Sequence, residues 1–178
     1  MARTSFTGPV ASSNGFIGDT TGNVTGNVTG NLTGAVLATT PVNVTAATLT
    51  VTQATHAGRV VTLNRAAGIT VTLPAASGSG SVYTFVVGTA VTSNSDIIKV
   101  ANSSDTMTGR AFVISDNSAA VLGYATASDS DTITLNGTTT GGLKGDRIVI
   151  TDAATNLFSV LVQSAATGTE ATPFSATV

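Results

Sequence analysis

The sequence of 178 residues contains no cysteine, no tryptophan and a single histidine. Without cysteine the chain forms neither disulfides nor thiolate metal sites. Only 9% of its residues are charged, against about a quarter in an ordinary globular protein. The seven lysine and arginine residues are scattered rather than clustered. This distribution argues against a nucleic-acid surface, so we expect no nucleic-acid partner.

Glutamate and lysine are also rare, since glutamate occurs only at Glu170 and lysine only at Lys99 and Lys144. Long helices draw heavily on these residue types, whereas the abundant threonine, valine, serine and glycine are typical of strands and turns. The composition therefore predicts an all-β protein. No apolar run is long enough to span a bilayer, and the first residues lack the apolar core of a secretory signal. We therefore expect no membrane association, and the absence of cysteine suits synthesis in a reducing cytoplasm.

Glycine recurs at every fourth residue from Gly18 to Gly34, with two Gly-Asn-Val-Thr units and one Gly-Asn-Leu-Thr unit in that stretch. Collagen requires glycine at every third residue, and repeated glycine with β-branched neighbours disfavours a helix. In an extended chain, successive side chains point to opposite faces. Val24, Val28 and Leu32 then share one face with the glycines, while the asparagines and threonines share the other.

This repeat cannot order itself. Burying three aliphatic side chains gains roughly 1.5–3 kcal/mol each, whereas fixing the backbone costs roughly 1–2 kcal/mol for every residue in the stretch. The repeat must therefore lie on its own domain, on another surface or on copies of itself. We favour copies, because short repeats often need stacked neighbours to bury a core. A flexible linker of low complexity is the remaining alternative.

Pro41 fits a boundary between an arm, residues 1–36, and a globular domain, residues 37–178. From Val42 onward, short strand-like runs alternate with turn residues, a pattern typical of a β-sandwich, a jelly roll or a barrel. The alternation slips at Ala46-Ala47, which indicates a bulge. Residues 69–73 predict a strand with one aliphatic and one threonine face. Residues 82–87 are apolar on both sides, which predicts a strand covered on both faces. The polar end, residues 168–178, is either an edge strand or a tail.

The candidates for chemistry are few. We expect His56 to be a surface residue in a loop, because no nucleophile motif accompanies it. Asp129 and Asp131 place carboxylates close together but do not complete a calcium loop. Residues 141–146 (Gly-Gly-Leu-Lys-Gly-Asp) superficially resemble a phosphate cradle, without its Lys-Ser/Thr ending or following helix. The sequence therefore predicts no catalysis, no metal and no cofactor.

Three stretches carry a resemblance to known proteins: the repeat at residues 22–33, the run from Val71 to Gly88, and the ending Ala171-Thr-Pro-Phe-Ser175. The repeat resembles segments of structural proteins of tailed bacteriophages, and the other two are similar to head decoration proteins, including those of marine and cyanobacterial phages. The resemblance implies a homotrimeric cement protein on the outer capsid surface of the virion. Its partners would be its own copies and the major capsid protein, and it would hold the expanded head against DNA pressure.

The main alternative is a short head fibre, tail fibre or receptor-binding module in which the repeat forms an intertwined stalk. Fully extended, the repeat spans at most roughly 50–60 Å, which is short for a shaft. A carbohydrate-binding domain and a small hydrolase are less favoured, because aromatic residues make up only 4% of the chain and no nucleophile motif is present.

The predicted trimer or capsid contacts are the apolar anchors of the arm and the residues of the repeat. They are Phe6, Phe16, Ile17, Gly22, Asn23, Val24, Gly26, Asn27, Val28, Gly30, Asn31 and Leu32.

Overall fold

A computed structural model describes residues 40–178, which form an all-β unit of two sheets. The arm and every contact predicted on it, from Phe6, Phe16 and Ile17 through Leu32, lie outside the described residues. Within residues 40–178 the elements are β1 Val42–Val44, β2 Thr48–Thr50, α1 Gln53–His56, β3 Val60–Leu63, β4 Thr70–Thr72, β5 Val82–Val87, β6 Asp96–Lys99, β7 Thr106–Ser115, β8 Val121–Ala125, β9 Thr132–Leu135, β10 Arg147–Ala154, β11 Leu157–Ala166 and β12 Phe174–Ser175.

The first six strands alternate between a seven-stranded sheet (β1-β3-β5-β10-β11-β7-β8) and a five-stranded sheet (β12-β9-β6-β4-β2). β1, β3 and β5 pair in parallel in the larger sheet, as β2, β4 and β6 do in the smaller one. The chain therefore winds through three successive coils, each giving one strand to each sheet. In the larger sheet Val42 pairs with Val61 of the next coil, and Val60 pairs with Thr84 of the coil after it.

The second half of the unit is joined differently. β7 and β8 form an antiparallel pair, as do β10 and β11, whereas β7 and β11 pair in parallel along their whole length. β12 pairs with β9 through Phe174 and Ser175, so the polar end of the chain includes a short edge strand. Of the two alternatives for that stretch, the edge strand is confirmed.

The core lies between the sheets and draws buried side chains from both of them. The clean alternation of residues 69–73 is confirmed, because Ile69, Val71 and Leu73 are at most 1% exposed. Thr70 and Thr72 occupy the opposite face and are half-buried. Period-two alternation places one side chain in the core at every second residue. The aliphatic face of β4 therefore packs in the core.

Two local expectations were wrong. Ala46 and Ala47 form no bulge within a strand, because the chain bends there and crosses from β1 in one sheet to β2 in the other. The strand at 82–87 is not covered on both faces either. Its inward side chains are buried, but Val82 is 39% exposed and Thr84 and Val86 are only half-buried. One face of this strand therefore packs in the core, and its other apolar face is uncovered.

Candidate functional site

His56 is buried, which contradicts the prediction of a surface residue in a loop. It ends the short helix α1 and is only 6% exposed. Its Nδ1 accepts a hydrogen bond from the backbone N–H of Thr52 at 3.0 Å. Among the described residues the hydrogen bonds of its imidazole all involve Thr52, so no carboxylate orients the ring as a triad would require. The imidazole stabilises the turn between Thr52 and His56. We therefore expect its removal to lower the free energy of unfolding.

The carboxylates show the same structural use. Of the eight acidic residues in residues 40–178, five are buried: Asp96, Asp105, Asp131, Asp146 and Asp152. Each accepts at least one hydrogen bond from a backbone N–H of another segment or loop. A buried carboxylate is tolerated only when such donors replace water. Sequence reasoning assigned turn-capping roles to the aspartates but did not find this set, because the donors come from distant segments.

Asp152 is the most fully satisfied of the five. The small-residue loop after β4 wraps around it, and the N–H groups of Ser77, Gly78 and Ser79 lie 2.7–3.1 Å from its oxygens. The hydroxyls of Ser77 and Ser79 add bonds of 3.0 and 2.7 Å. Burial alone raises the pKa of Asp152, but the hydrogen bonds from Ser79, Gly78 and Ser77 outweigh it and hold the pKa at about 2. The loop that resembles an anion-binding nest is thus filled by the chain's own carboxylate.

The glycine-rich segment 141–146 is closed in the same way. Asp146 accepts bonds from the N–H groups of Gly142 and Leu143 at 2.7 and 3.0 Å, and from Ala165 at 3.0 Å. Burial raises the pKa of Asp146, against the lowering effect of these three bonds. Since the backbone donors are already occupied, no phosphate cradle remains in this segment.

Asp129 and Asp131 differ in burial and in hydrogen bonding. Asp129 is exposed in the turn before β9, whereas Asp131 is buried and accepts bonds from the N–H groups of Thr177 and Val178 at 2.8 and 3.0 Å. Asp131 therefore holds the C-terminal residues against β9. Within residues 40–178, no group of three His, Asp or Glu side chains is placed to hold a metal ion.

The outward side of the seven-stranded sheet, which we call the outer face, is not covered by any other described part of the chain. It carries six of the seven large hydrophobic residues that are exposed in the described part of the chain, with exposed fractions of 37–58%. These residues are Val60, Val82, Phe112, Ile114, Val121 and Leu161. Scattered exposed aliphatic residues are ordinary, but a contiguous apolar patch marks an interaction surface.

Strand register places these apolar residues on one continuous sheet surface, with Thr84 and Arg110 among them. One row of outward residues crosses six strands, at the paired positions Val60, Thr84, Val149, Leu161, Arg110 and Ala125. Adjacent strands lie about 4.8 Å apart, so the row is about 24 Å wide. The next row places Phe112 beside Gln163 on one side and Gly123 on the other. The outer face is therefore a broad, flat sheet surface rather than a cleft.

Two shallow depressions lie on either side of Phe112. One, of about 250 Å³, is lined by Arg110, Gly123 and Tyr124, and the other, of about 480 Å³, is lined by residues that include Ile114 and Arg147. A Cβ at Gly123 would meet no atom within 4 Å, so there is open space at this glycine, which pairs with Phe112. These depressions suit projecting side chains of a partner better than an enclosed small molecule, whose sites are concave and bury most of the ligand.

The charged side chains at the outward strand positions of this sheet have one sign, while the buried Asp146 also lines the depression beside Arg147. Arg110 and Arg147 lie on neighbouring rows, and the outward strand positions of this sheet in residues 40–178 include no carboxylate. A surface that combines apolar residues with two guanidinium groups complements an apolar surface with carboxylates at its rim.

No helix among the described residues combines the length and the apolar character that crossing a membrane requires. No family model, curated protein or solved structure matches this chain.

Proposed function

We propose that this chain is a structural protein of a bacteriophage virion, which decorates the outer shell as a homotrimer and stabilises the capsid. In this proposal the outer face binds the major capsid protein. The observation that carries it is the contiguous apolar and basic surface of the seven-stranded sheet, in a domain whose histidine and buried aspartates are engaged in structural hydrogen bonds. The resemblance of the repeat, of residues 71–88 and of residues 171–175 to phage head proteins supports the same assignment.

The energetics suit attachment to a repetitive shell. Each side chain on the outer face is partly exposed, so each gains less than the roughly 1.5–3 kcal/mol of a fully buried aliphatic residue. Much of that gain is offset by the translational and rotational freedom lost on association. One copy therefore binds weakly. A trimer that engages several capsid subunits at once converts weak contacts into stable attachment.

The domain fold fits this role as a β-sandwich, which we retain among the predicted alternatives because the core draws on both sheets. A jelly roll is built from antiparallel Greek keys, whereas β1 to β6 pair in parallel within each sheet. The protein would act without catalysis, cofactor, nucleic acid or membrane. Phe6, Phe16 and Ile17 of the arm remain proposed anchors for further contacts between copies or with the shell.

The alternative is a short head or tail fibre, or a receptor-binding module. One observation favours it: stacked parallel coils such as β1 to β6 extend by adding further coils, as a shaft requires. A fibre would attach at few points on the particle. A decoration protein covers the whole shell, so its copy number relative to the major capsid protein separates the two roles.

The first test is quantitative mass spectrometry of purified particles made by the genome that encodes this chain. Decoration predicts a copy number comparable to that of the major capsid protein, and a fibre predicts a small fraction of it. Absence from the particles would contradict both roles.

The second test is co-sedimentation with shells that lack the protein. Leu161→Asp places a charge at the centre of the outer face and is expected to abolish pelleting with shells. Ser103→Asp, in an exposed turn between β6 and β7, is the matched control and should pellet like the natural chain. Equal pelleting of both variants would remove the outer face from the proposal.

A further inference from the structure

The edge strands of the two sheets differ in length. In the part of the chain that the structure describes, β1, β2 and β12 are edge strands of two or three residues, whereas the edge strand β8 has five, Val121–Ala125. Proteins protect long edges with charges, proline or a bulge, because an open edge pairs with other chains. β8 consists of Val, Leu, Gly, Tyr and Ala, and its pairing with β7 has no register shift. Among the described strands, β8 is therefore the edge best suited to pair with another strand.

The bonds between β7 and β8 show which peptide groups of β8 point to the open side. The N–H of Ser115 donates to the carbonyl of Ala120 at 3.1 Å, and the N–H of Thr126 donates to the carbonyl of Gly109 at 3.2 Å. In an antiparallel pair, residues that exchange such bonds alternate with residues whose peptide groups point the other way. Counting inward from both ends, three residues of β8 point their N–H and C=O groups away from β7. They are Val121, Gly123 and Ala125, and all three are exposed.

The side chains of β8 are also incompletely covered. Leu122 and Tyr124 lie on the inner side of the sheet and are only half-buried, although Tyr124 packs against the core. On the outer side, a Cβ at Gly123 would meet no atom within 4 Å. A strand added at this edge would remove apolar surface of both half-buried side chains from water, which favours pairing.

We propose that β8 pairs in antiparallel with β8 of a second copy of this chain, so that two seven-stranded sheets become continuous across a two-fold axis. In this register Gly123 lies opposite Gly123 of the second copy, and Val121 lies opposite Ala125. Of the symmetric registers, this one alone gives a partner to all three outward-pointing residues of each strand. On the inner side, Leu122 of each copy lies beside Tyr124 of the other, an aliphatic–aromatic cross-strand pair.

Charge favours a second copy as the occupant of this edge. β8 contains no charged residue, so self-pairing brings no like charges directly together. Arg110 is paired with Ala125, and the proposed register continues this row with Val121 and Ile114 of the second copy. Each Arg110 therefore meets aliphatic residues of the other copy rather than its arginine. The neutral, apolar sequence of β8 is complementary to itself.

The junction is small, and it is independent of the proposed role on a capsid. One pair of strands buries much less than the roughly 1,600 Å² of a standard interface, so pairing should depend on protein concentration. A two-fold contact joins two copies, so in a trimeric protein it links neighbouring trimers. It uses the edge of the seven-stranded sheet and leaves the centre of the outer face, at Leu161, uncovered.

Single cysteines in the full chain test both the pairing and its register, because the natural chain has none. Paired residues that exchange hydrogen bonds have Cα atoms about 5.5 Å apart, within the usual disulfide range of about 4.4–6.8 Å. On mild oxidation, Gly123→Cys should therefore form a covalent dimer. Val121→Cys and Ala125→Cys are the matched controls, because identical positions of these residues would lie roughly 14 Å apart. Neither should link to itself, but an equal mixture of the two should give the mixed dimer, identified by mass spectrometry of the linked peptides.

Hydrogen exchange of the natural full chain is the second readout and needs no substitution. The amides of Val121, Gly123 and Ala125 should exchange roughly tenfold or more slowly at high than at low protein concentration, because pairing supplies their acceptors. The amides of Leu122 and Tyr124 point towards β7 and serve as the internal reference, whose exchange should not follow concentration.

Three results would overturn the proposal. Equal self-linking of all three cysteine variants would show random collision rather than one register. Slow exchange of the outward amides at every concentration would show that the edge is covered within one chain. Fast exchange at every concentration, without a cross-link, would show that the edge stays open. These measurements are made without shells, so they succeed or fail separately from the attachment of the outer face to a capsid.

Discussion

The two faces of the seven-stranded sheet are built from the same strands but differ in solvent exposure. On the inner face, Phe85 and Phe158 are fully buried against the five-stranded sheet. On the outer face, Phe112 is 43% and Ile114 is 54% exposed. Folding of residues 40–178 accounts for the apolar residues of the inner face. It does not account for those of the outer face, and association is the role that we propose for them.

Charge follows the same division. The carboxylates lie largely inside, where backbone N–H groups replace water around them, whereas Arg110 and Arg147 lie on the outer face. The net charge of −2 therefore does not describe the charge of the outer face, which is positive at its strand positions. Five buried aspartates contribute to that sum, but the surface of the sheet presents guanidinium groups.

Phenylalanine truncation on the two faces gives the largest expected contrast. Phe85→Ala should lower the free energy of unfolding by about 3–5 kcal/mol, because it empties a filled core position. Phe112→Ala should lower it by less than about 1 kcal/mol yet reduce binding to shells. Urea denaturation and co-sedimentation measure the two effects. A large loss of stability from Phe112→Ala would mean that the outer face is part of the fold rather than a docking surface.

Asp152→Asn comes next, with an expected loss of about 2 kcal/mol at pH 7. The folded-state pKa of about 2 lies below that of the unfolded chain, so this stabilisation is complete above about pH 4 and is lost as the pH falls towards 2. Urea denaturation at pH 7, 4 and 3 checks the prediction. The difference between the natural chain and the variant should shrink over that range, and a constant difference would show that it does not arise from ionisation.

Asp96 should show the opposite pH dependence. Burial raises its pKa to about 6, although the N–H of Ile69 donates to one oxygen. The folded state therefore binds this proton more tightly than the unfolded chain, and stability should increase by about 1 kcal/mol as the pH falls from 7 to 5. Asp96→Asn should remove that increase. Asp146 shifts in the same direction but is present in both proteins, so an equal increase in the variant would assign the effect to another group.

The smallest effect is expected from the arginines of the outer face. Arg110→Ala should leave the free energy of unfolding within about 0.5 kcal/mol of the natural value. It should weaken shell binding and make that binding less sensitive to salt, because an attraction to carboxylates is removed. Arg65→Ala, near the turn at Gly68, is the control of equal charge change. If both variants lose shell binding equally, the effect comes from the net charge of the protein and not from the position of Arg110.

Local pattern predicted much of the strand content and little of its arrangement. The runs at 69–73, 82–87 and 132–135 match β4, β5 and β9 closely, because alternation is a property of neighbouring residues. The first half of β7, residues 106–110, was missed. It reads as polar and includes Gly109, and it is a strand because β11 pairs with it. The winding of β1 to β6 through parallel coils depends on register between distant segments, which local pattern does not contain.

The candidate site did leave a signal, and it was misinterpreted. Residues 82–87 are apolar on both sides of the strand except at Thr84, a pattern that predicts cover on both faces. Residues 111–114 are apolar in the same way. In the structure one side of each strand is in the core and the other is uncovered, and these uncovered sides form part of the proposed docking face. His56 left no comparable signal, because its burial is created by its contact with Thr52 and the surrounding turn.

Hydroxyl-radical footprinting of the protein, free and bound to shells, tests whether the outer face is the attachment surface. Oxidation reports the exposure of individual side chains, and Leu143, in the loop before β10, serves as a reference off the outer face. If the outer face attaches to the shell, Phe112, Ile114 and Leu161 should lose most of their oxidation on binding. The oxidation of Leu143 should be unchanged. If the bound protein is oxidised at these three residues as fast as the free protein, the outer face is not the attachment surface.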